Sequence, residues 1–115
     1  MGKLTTHVLD TAHGGPAAGV AIRLYALGDR RECLAQATSN ADGRTPVPLL
    51  EGAAMKTGTY ELEFDIGEYF RGRGAAVGEP AFLDTVVIRF AVSDSGDFHV
   101  PLLASPWSYS TYRGS

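Results

Sequence analysis

The sequence predicts a single all-β domain over residues 1–115, folded as a two-sheet antiparallel sandwich with one short helix. Apolar and polar residues alternate with period two in several segments, which is typical of strands with one buried face. Glycine and proline, 14 and 6 residues, separate these segments at roughly ten-residue intervals, as in β-sandwiches. The length of 115 residues, with 44% hydrophobic and 20% charged residues, fits one globular domain.

The N-terminal half supplies three predicted strands. Alternation predicts strands over 4–9 and 20–27, and 33–38 is predicted as a third strand. The glycine-rich segment 13–16 predicts a turn after the first strand. Segment 40–43 predicts another turn, since it begins with an asparagine and ends with a glycine suited to positive φ.

A fourth strand and the helix follow one another without a gap. Segment 60–65 alternates apolar residues with acidic ones, and 65–71 is the predicted helix. Asp65 is placed to cap the helix N-terminus, with Glu68 three residues later as in a capping box, and Gly72 ends the helix.

The C-terminal third supplies the remaining strands. Alternation predicts a long strand over 85–92 and another over 98–103, separated by the turn segment 94–97. Segment 107–112 is predicted as a final strand.

Charge and composition exclude several classes of partner and site. The net charge of −3 and the lack of a basic stripe argue against nucleic acid or an anionic membrane as a partner. The apolar runs are far shorter than a membrane span needs. A single cysteine, Cys33, excludes an internal disulfide and a cysteine-based zinc site, and no histidine spacing favours a metal. With no signal peptide in evidence, we expect a cytoplasmic protein.

Two histidines lie inside predicted strands and are candidates for chemistry. An imidazole titrates near neutral pH, so His7 and His99, if they meet in one cleft, can activate water and protonate a leaving nitrogen. Arg44, after the predicted turn, can grip a planar carbonyl or carboxylate through paired N–H groups. The alternative is that all three are ordinary solvated side chains. His13 lies in a turn and is expected to be a surface residue without a role.

The C-terminal tail, residues 108–115, is unusual because a polar and aromatic segment continues to the last residue. Most chain ends have no such pattern and are poorly ordered, which is the alternative interpretation here.

Several motifs identify a family resemblance over essentially the whole chain. The segments concerned are the N-terminal Leu-Thr-Thr-His-Val-Leu-Asp-Thr at 4–11 with Gly-Pro-Ala at 15–17, the Asp-Gly-Arg at 42–44, the strand and helix segments 58–62 and 69–70, the His-Val-Pro-Leu-Leu at 99–103 with Ser-Pro at 105–106, and the tail 109–115. They resemble the signatures of the transthyretin-like 5-hydroxyisourate hydrolases. The terminal Tyr-Arg-Gly-Ser is the most specific match, because the hormone-carrying transthyretins lack it.

The resemblance implies a fold, a reaction and an assembly. It implies a Greek-key sandwich of seven or eight strands that hydrolyses 5-hydroxyisourate, the unstable product of urate oxidation, to 2-oxo-4-hydroxy-4-carboxy-5-ureidoimidazoline. It implies a homotetramer, a dimer of dimers, with active sites at the dimer–dimer interface. No metal or organic cofactor is expected.

The resemblance also assigns roles to residues. His7 or His99 deprotonates a water that attacks a ring carbonyl, and the other histidine, or Ser115, relays a proton to the departing ring nitrogen. Arg44 holds the substrate carbonyl and stabilises the oxyanion. The substrate-binding residues it implies are His7, Arg44, Tyr112, Arg113 and Gly114; Tyr112 contacts the planar ring, and Arg113 fixes the tail by a salt bridge.

The sequence departs from the family pattern at Trp107-Ser108, Ala104 and Leu83-Asp84, which are flanking or packing positions. Two rival hypotheses remain. A transthyretin-like ligand carrier without catalysis predicts a chain lacking the Tyr-Arg-Gly-Ser tail. An immunoglobulin-like adhesive module predicts a signal peptide or repeated domains.

Overall fold

A computed structural model describes residues 2–94 and 96–114. Its regular elements form two β-sheets and one α-helix, which confirms the predicted all-β sandwich. The elements in chain order are β1 (Lys3–Asp10), β2 (Gly15–Pro16), β3 (Ala21–Leu27), β4 (Arg31–Thr38), β5 (Leu50–Glu51), a 3-10 turn (Gly52–Ala54), β6 (Gly58–Asp65), α1 (Ile66–Gly72), β7 (Thr85–Val92), β8 (Phe98–Ala104) and β9 (Tyr109–Thr111).

The first sheet has the order β2-β1-β8-β9, with β5 also paired to β1, and the second sheet has the order β4-β3-β6-β7. All strand pairs are antiparallel except β1 and β8, which run parallel. The sequence predicts a purely antiparallel sandwich, and this one pair departs from that prediction. These two strands are distant in sequence and no hairpin joins them, so nothing local imposes an antiparallel pairing. The parallel register places Thr5 beside His99 and His7 beside Pro101.

The core lies between the inner faces of the two sheets. Period-two alternation sends one residue of each pair inward, and burying each large apolar side chain contributes about 1.5–3 kcal/mol. The apolar side chains with almost no exposed surface include Leu4, Val8, Val20, Ile22, Leu24, Leu62, Phe64, Ile66, Phe70 and Leu102. Because Leu4 and Val8 point inward from β1, Thr5 and His7 lie on the outer face of the first sheet.

The helix confirms its predicted position, but its capping differs from the prediction. Asp65 occupies the N-cap position without making a side-chain cap hydrogen bond. Its carboxylate instead accepts two hydrogen bonds from Arg23, at 3.0 and 2.6 Å. The guanidinium of Arg23 on β3 is a stronger donor than the helix N–H groups, since the pair is charge-assisted and bidentate. The predicted capping box is therefore wrong.

The outer face of the second sheet carries an arginine–carboxylate network. Arg23 also bonds Glu63 at 2.9 Å, and Arg31 bonds Glu63 at 2.6 Å. The six members, three arginines and three carboxylates from four strands, are Arg23, Arg31, Arg89, Glu61, Glu63 and Asp65. Each charge in the network has at least one opposite partner.

His13 is exposed, as the sequence predicts, but it makes contacts that the sequence did not indicate. Its Nδ1 lies 2.6 Å from a carboxylate oxygen of Asp10, and its ring stacks on Phe70 with centroids 6.2 Å apart. Asp10 is 2% exposed and also accepts a hydrogen bond from the Tyr69 hydroxyl at 2.8 Å. Burial opposes ionisation of Asp10, but the hydrogen bonds from Tyr69 and His13 outweigh it and lower its pKa. Burial and this carboxylate together raise the pKa of Tyr69 to about 12.

The last strand is shorter than predicted. It covers Tyr109–Thr111 rather than 107–112, and Trp107 is exposed beside Phe82, with ring centroids 5.7 Å apart. No helix in residues 2–94 and 96–114 is long and apolar enough to cross a membrane.

Candidate functional site

His7 is held by the turn 40–44, which docks against the outer face of β1. Its Nε2 lies 2.7 Å from the backbone carbonyl of Asp42. A carbonyl only accepts, so Nε2 carries the proton and Nδ1 is the unprotonated nitrogen of neutral His7. The turn backbone also bonds β1 directly, since Val8 N–H donates to the Gly43 carbonyl at 2.7 Å.

Gly43 lets this turn approach His7. Its φ is +77°, and an added Cβ would lie 3.2 Å from His7 Cδ2 and closer still to the Val8 carbonyl oxygen. The Asn40 side chain closes the turn by accepting hydrogen bonds from the N–H groups of Asp42 and Arg44. The predicted Asx turn with a positive-φ glycine is therefore confirmed, and it fixes the position of Arg44 relative to His7.

His99 lies on β8 and is positioned by two neighbours. Its Nδ1 is 2.8 Å from the hydroxyl of Thr5, its direct partner in the parallel register. On the other side, Gly114 N–H donates to the His99 carbonyl at 2.7 Å. An added Cβ on Gly114 would lie 2.5 Å from His99 Cδ2, so the tail backbone packs against the imidazole. Glycine is the residue that permits this approach.

The pKa of His99 is held below its usual value. Partial burial disfavours the imidazolium, and the nearby charges of Arg44 and His7 add to the effect, while a hydrogen bond with the backbone of Thr5 opposes it. Neutral His99 therefore predominates at neutral pH, and a neutral imidazole has a nitrogen able to accept a proton.

Arg44 and His99 line a common cleft of about 300 Å³. The other lining residues are Lys3, Thr5 and Asp97. Among the residues that the structure describes, Arg44 has no carboxylate within ion-pair distance, so its guanidinium is available to a ligand. A smaller cleft of about 160 Å³ adjoins this one, because Thr5 and Arg44 line both.

The tail splits between two locations. Gly114 reaches His99, but the side chains of Tyr112 and Arg113 line a separate cleft of about 220 Å³ between the edges of the two sheets. Arg113 stacks over the Phe98 ring at 4.2 Å and donates to the Asp97 backbone carbonyl at 3.3 Å. Among the described residues, no carboxylate forms the expected salt bridge with it. Ser115 lies outside the described residues.

The chain thus brings together four of the predicted site residues, His7, Arg44, His99 and Gly114, on the outer face of the first sheet. Sequence reasoning missed Thr5, Lys3 and Asp97. The only signal for Thr5 was its place two residues before His7, and it gains meaning once β1 and β8 are known to be parallel. In the described ranges, 2–94 and 96–114, no three His, Cys, Asp or Glu side chains cluster as a metal site would require.

Comparison with known proteins places this geometry in a family. A family model described as HIUase/Transthyretin family matches residues 4–114. The 5-hydroxyisourate hydrolase of Ralstonia nicotianae is 54% identical over 117 residues, covering 100% of both chains. The solved structure of Klebsiella pneumoniae 5-hydroxyisourate hydrolase matches with a TM-score of 0.84 and 35% identity, covering 100% of both chains. The crystal structure of (S)-allantoin synthase matches with a TM-score of 0.95 and 43% identity; it covers 99% of this chain, which spans 44% of that longer protein.

Proposed function

Because this chain belongs to the HIUase/Transthyretin family, we infer that it hydrolyses 5-hydroxyisourate in urate degradation. The observation that carries the inference is a cleft lined by both a neutral imidazole, His99, and the guanidinium of Arg44, which has no ion-pair partner among the described residues. These are the two groups that hydrolysis of a cyclic amide needs, a base for water and a cation for the oxyanion. A carrier without catalysis needs neither, and the relatives matched over the full chain are named as hydrolases.

The geometry supports His99 rather than His7 as the general base. Neutral His99 accepts a proton from water, and the hydroxide oxygen forms a bond to a ring carbonyl carbon of the substrate. His7 is less suited, because the described residues that line the cleft shared by His99 and Arg44 do not include it. Its Nε2–H donates to the Asp42 carbonyl, which holds the turn that carries Arg44.

Arg44 acts on the charge that develops next. As the carbonyl becomes tetrahedral, its oxygen takes up negative charge, and the guanidinium stabilises it with paired N–H groups. The carbon–nitrogen bond of the ring then breaks, the carbonyl re-forms as a carboxyl group, and the imidazolium of His99 returns its proton to the departing nitrogen. The relay through His7 or Ser115 that the resemblance implies stays a prediction.

The tail and the assembly complete this proposal. We place Tyr112, Arg113 and Ser115 at the substrate through a homotetramer in which dimers stack at the outer face of the first sheet. Supporting this, Tyr112 is 60% exposed and points away from the His99 cleft of its own chain. A cytoplasmic location also stays a prediction.

The decisive experiment generates 5-hydroxyisourate in situ with urate oxidase and follows its ultraviolet absorbance after the protein is added. We expect decay well above the spontaneous background. A decay rate equal to the background, with light scattering showing an intact tetramer, would refute the enzymatic function. A chain ending after Thr111 is expected to fold but lose activity, because it lacks the Gly114 contact with His99.

A further inference from the structure

Two adjacent threonines on β1 make similar hydrogen bonds to β8 but face opposite sides of the sheet. Thr6 points into the core, is 1% exposed, and donates its hydroxyl to the Val100 carbonyl at 2.7 Å. Thr5 points outward, lines the cleft, and places its hydroxyl 2.8 Å from His99 Nδ1. The first bond joins side chain to backbone, whereas the second joins side chain to the proposed base.

The Thr5 bond bears on which nitrogen of His99 can accept a proton. If Nδ1 carries the hydrogen and donates to Oγ1, the lone pair is on Nε2, the ring nitrogen that Thr5 does not bind. The bond then survives protonation, because the imidazolium still has Nδ1–H to donate. Threonine is stiff at χ1, so the acceptor stays in place.

A hydroxyl partner differs from a carboxylate in its effect on the base. A carboxylate, as Asp10 provides for His13 in this same chain, favours a charged imidazole. A neutral hydroxyl orients His99 without that charge, which leaves the base free of a proton at neutral pH. The charged and titratable groups around His99 are Lys3 and His7 on β1, Arg44 on the turn 40–44, and Asp97 before β8.

We propose that Thr5 is a positioning residue for this hydrolysis, whose hydroxyl accepts a hydrogen bond from His99 Nδ1–H and keeps the Nε2 lone pair available to the attacking water. This role rests on the proposed function, since the orientation of the His99 ring matters for catalysis only if the protein hydrolyses 5-hydroxyisourate. The bond itself and the tautomer it selects exist without substrate.

The test compares Thr5→Val, which removes the hydroxyl but keeps the shape, with Thr5→Ser, which restores it. Thr5→Val is expected to lower kcat/KM by about tenfold, the scale of one hydrogen bond to a charged group. It should also move the acid limb of the pH–rate profile to lower pH, because the imidazolium loses its acceptor. Thr5→Ser should recover most of the rate and the original acid limb.

Thr6→Val is the matched control, since it removes a hydroxyl bonded to the same strand on the opposite face. It should lower Tm and leave the pH profile unchanged. Nitrogen-15 NMR of the imidazole rings provides a readout without substrate: His99 should be the Nδ1–H tautomer in the wild type and lose that preference in Thr5→Val, or in Thr5→Ala should the valine variant not fold.

The proposal is overturned if Thr5→Val leaves both the acid limb and the His99 tautomer unchanged, or if Thr6→Val produces the same changes. If the wild type does not accelerate 5-hydroxyisourate decay, the proposed function fails, and the NMR comparison still decides whether Thr5 sets the tautomer.

Discussion

The outer faces of the two sheets both carry arginine among titratable side chains, yet they differ in how those charges are paired. On the second sheet, Arg23 reaches two carboxylates within 3.0 Å. On the first sheet, Arg44 has no such partner among the described residues and lines a cleft beside His99. Paired charges satisfy one another and hold strands together, whereas an unpaired guanidinium beside a neutral imidazole is available to a ligand.

Substitutions of the histidines should give the largest difference between a catalytic role and a structural role. His99→Asn is expected to lower kcat/KM by about 10²–10⁴-fold with little change in Tm, because it removes the proposed base from a partly exposed position. His13→Asn is the control: it breaks the contact with buried Asp10 and should lower Tm while sparing kcat/KM. Steady-state kinetics measure kcat/KM, and thermal unfolding measures Tm, for both variants. A loss of only two- or threefold in His99→Asn would leave His99 without the role of base.

The arginines should show opposite responses. Arg44→Met is expected to reduce kcat/KM by about 10²-fold with Tm preserved, as for loss of an oxyanion donor. Arg23→Met should leave kcat/KM intact and destabilise the fold by about 1–2 kcal/mol, because Asp65 loses its arginine partner and Glu63 loses one of its two. Denaturant unfolding measures the free energy of unfolding of each variant, and the coupled ultraviolet assay measures its kcat/KM. Equal effects of the two substitutions on activity would contradict the division between the faces.

A smaller effect tests the contact between tail and base. Gly114→Ala places a methyl group against His99 Cδ2, where no space exists, so we expect about a tenfold loss of kcat/KM as the imidazole is displaced. Gly28→Ala is the matched control, since an added Cβ there meets nothing within 4 Å. If both variants keep full activity, the packing of the tail on His99 has no catalytic importance.

The sequence predicted the strands well because each obeys a local rule, the alternation of inward residues such as Leu62 and Phe64 with outward ones such as Glu63. Pairing direction obeys no such rule, so the parallel register of β1 and β8 could not be predicted from alternation. The Asp65 cap failed for a similar reason: Arg23 lies on another strand, and only the folded sheet brings it close.

For the site, the family resemblance selected His7, Arg44 and His99, and the structure places these three on one face. It could not indicate Thr5, whose neighbour His99 is 94 residues away in sequence. The positions of Tyr112 and Arg113 likewise depend on how the tail crosses the sheet edge and not on their identity.

The two faces should also respond to acid in different pH ranges. The pKa of His99 in the folded state lies below its unfolded value of about 6.5, so the unfolded chain binds more protons and stability falls as pH drops through that value. Arg23 lowers the pKa of Asp65, so the stability contributed by Asp65 is present above about pH 4 and is lost as pH falls further.

Thermal unfolding from neutral to acid pH in the wild type, His99→Asn and Asp65→Asn resolves the two ranges. His99→Asn should flatten the loss of Tm that begins near pH 6.5, and Asp65→Asn should flatten only part of the loss below pH 4, since Asp10 contributes there too. If His99→Asn leaves the upper range unchanged, the histidine is protonated as readily in the fold as in the unfolded chain, and the first face does not hold a neutral base.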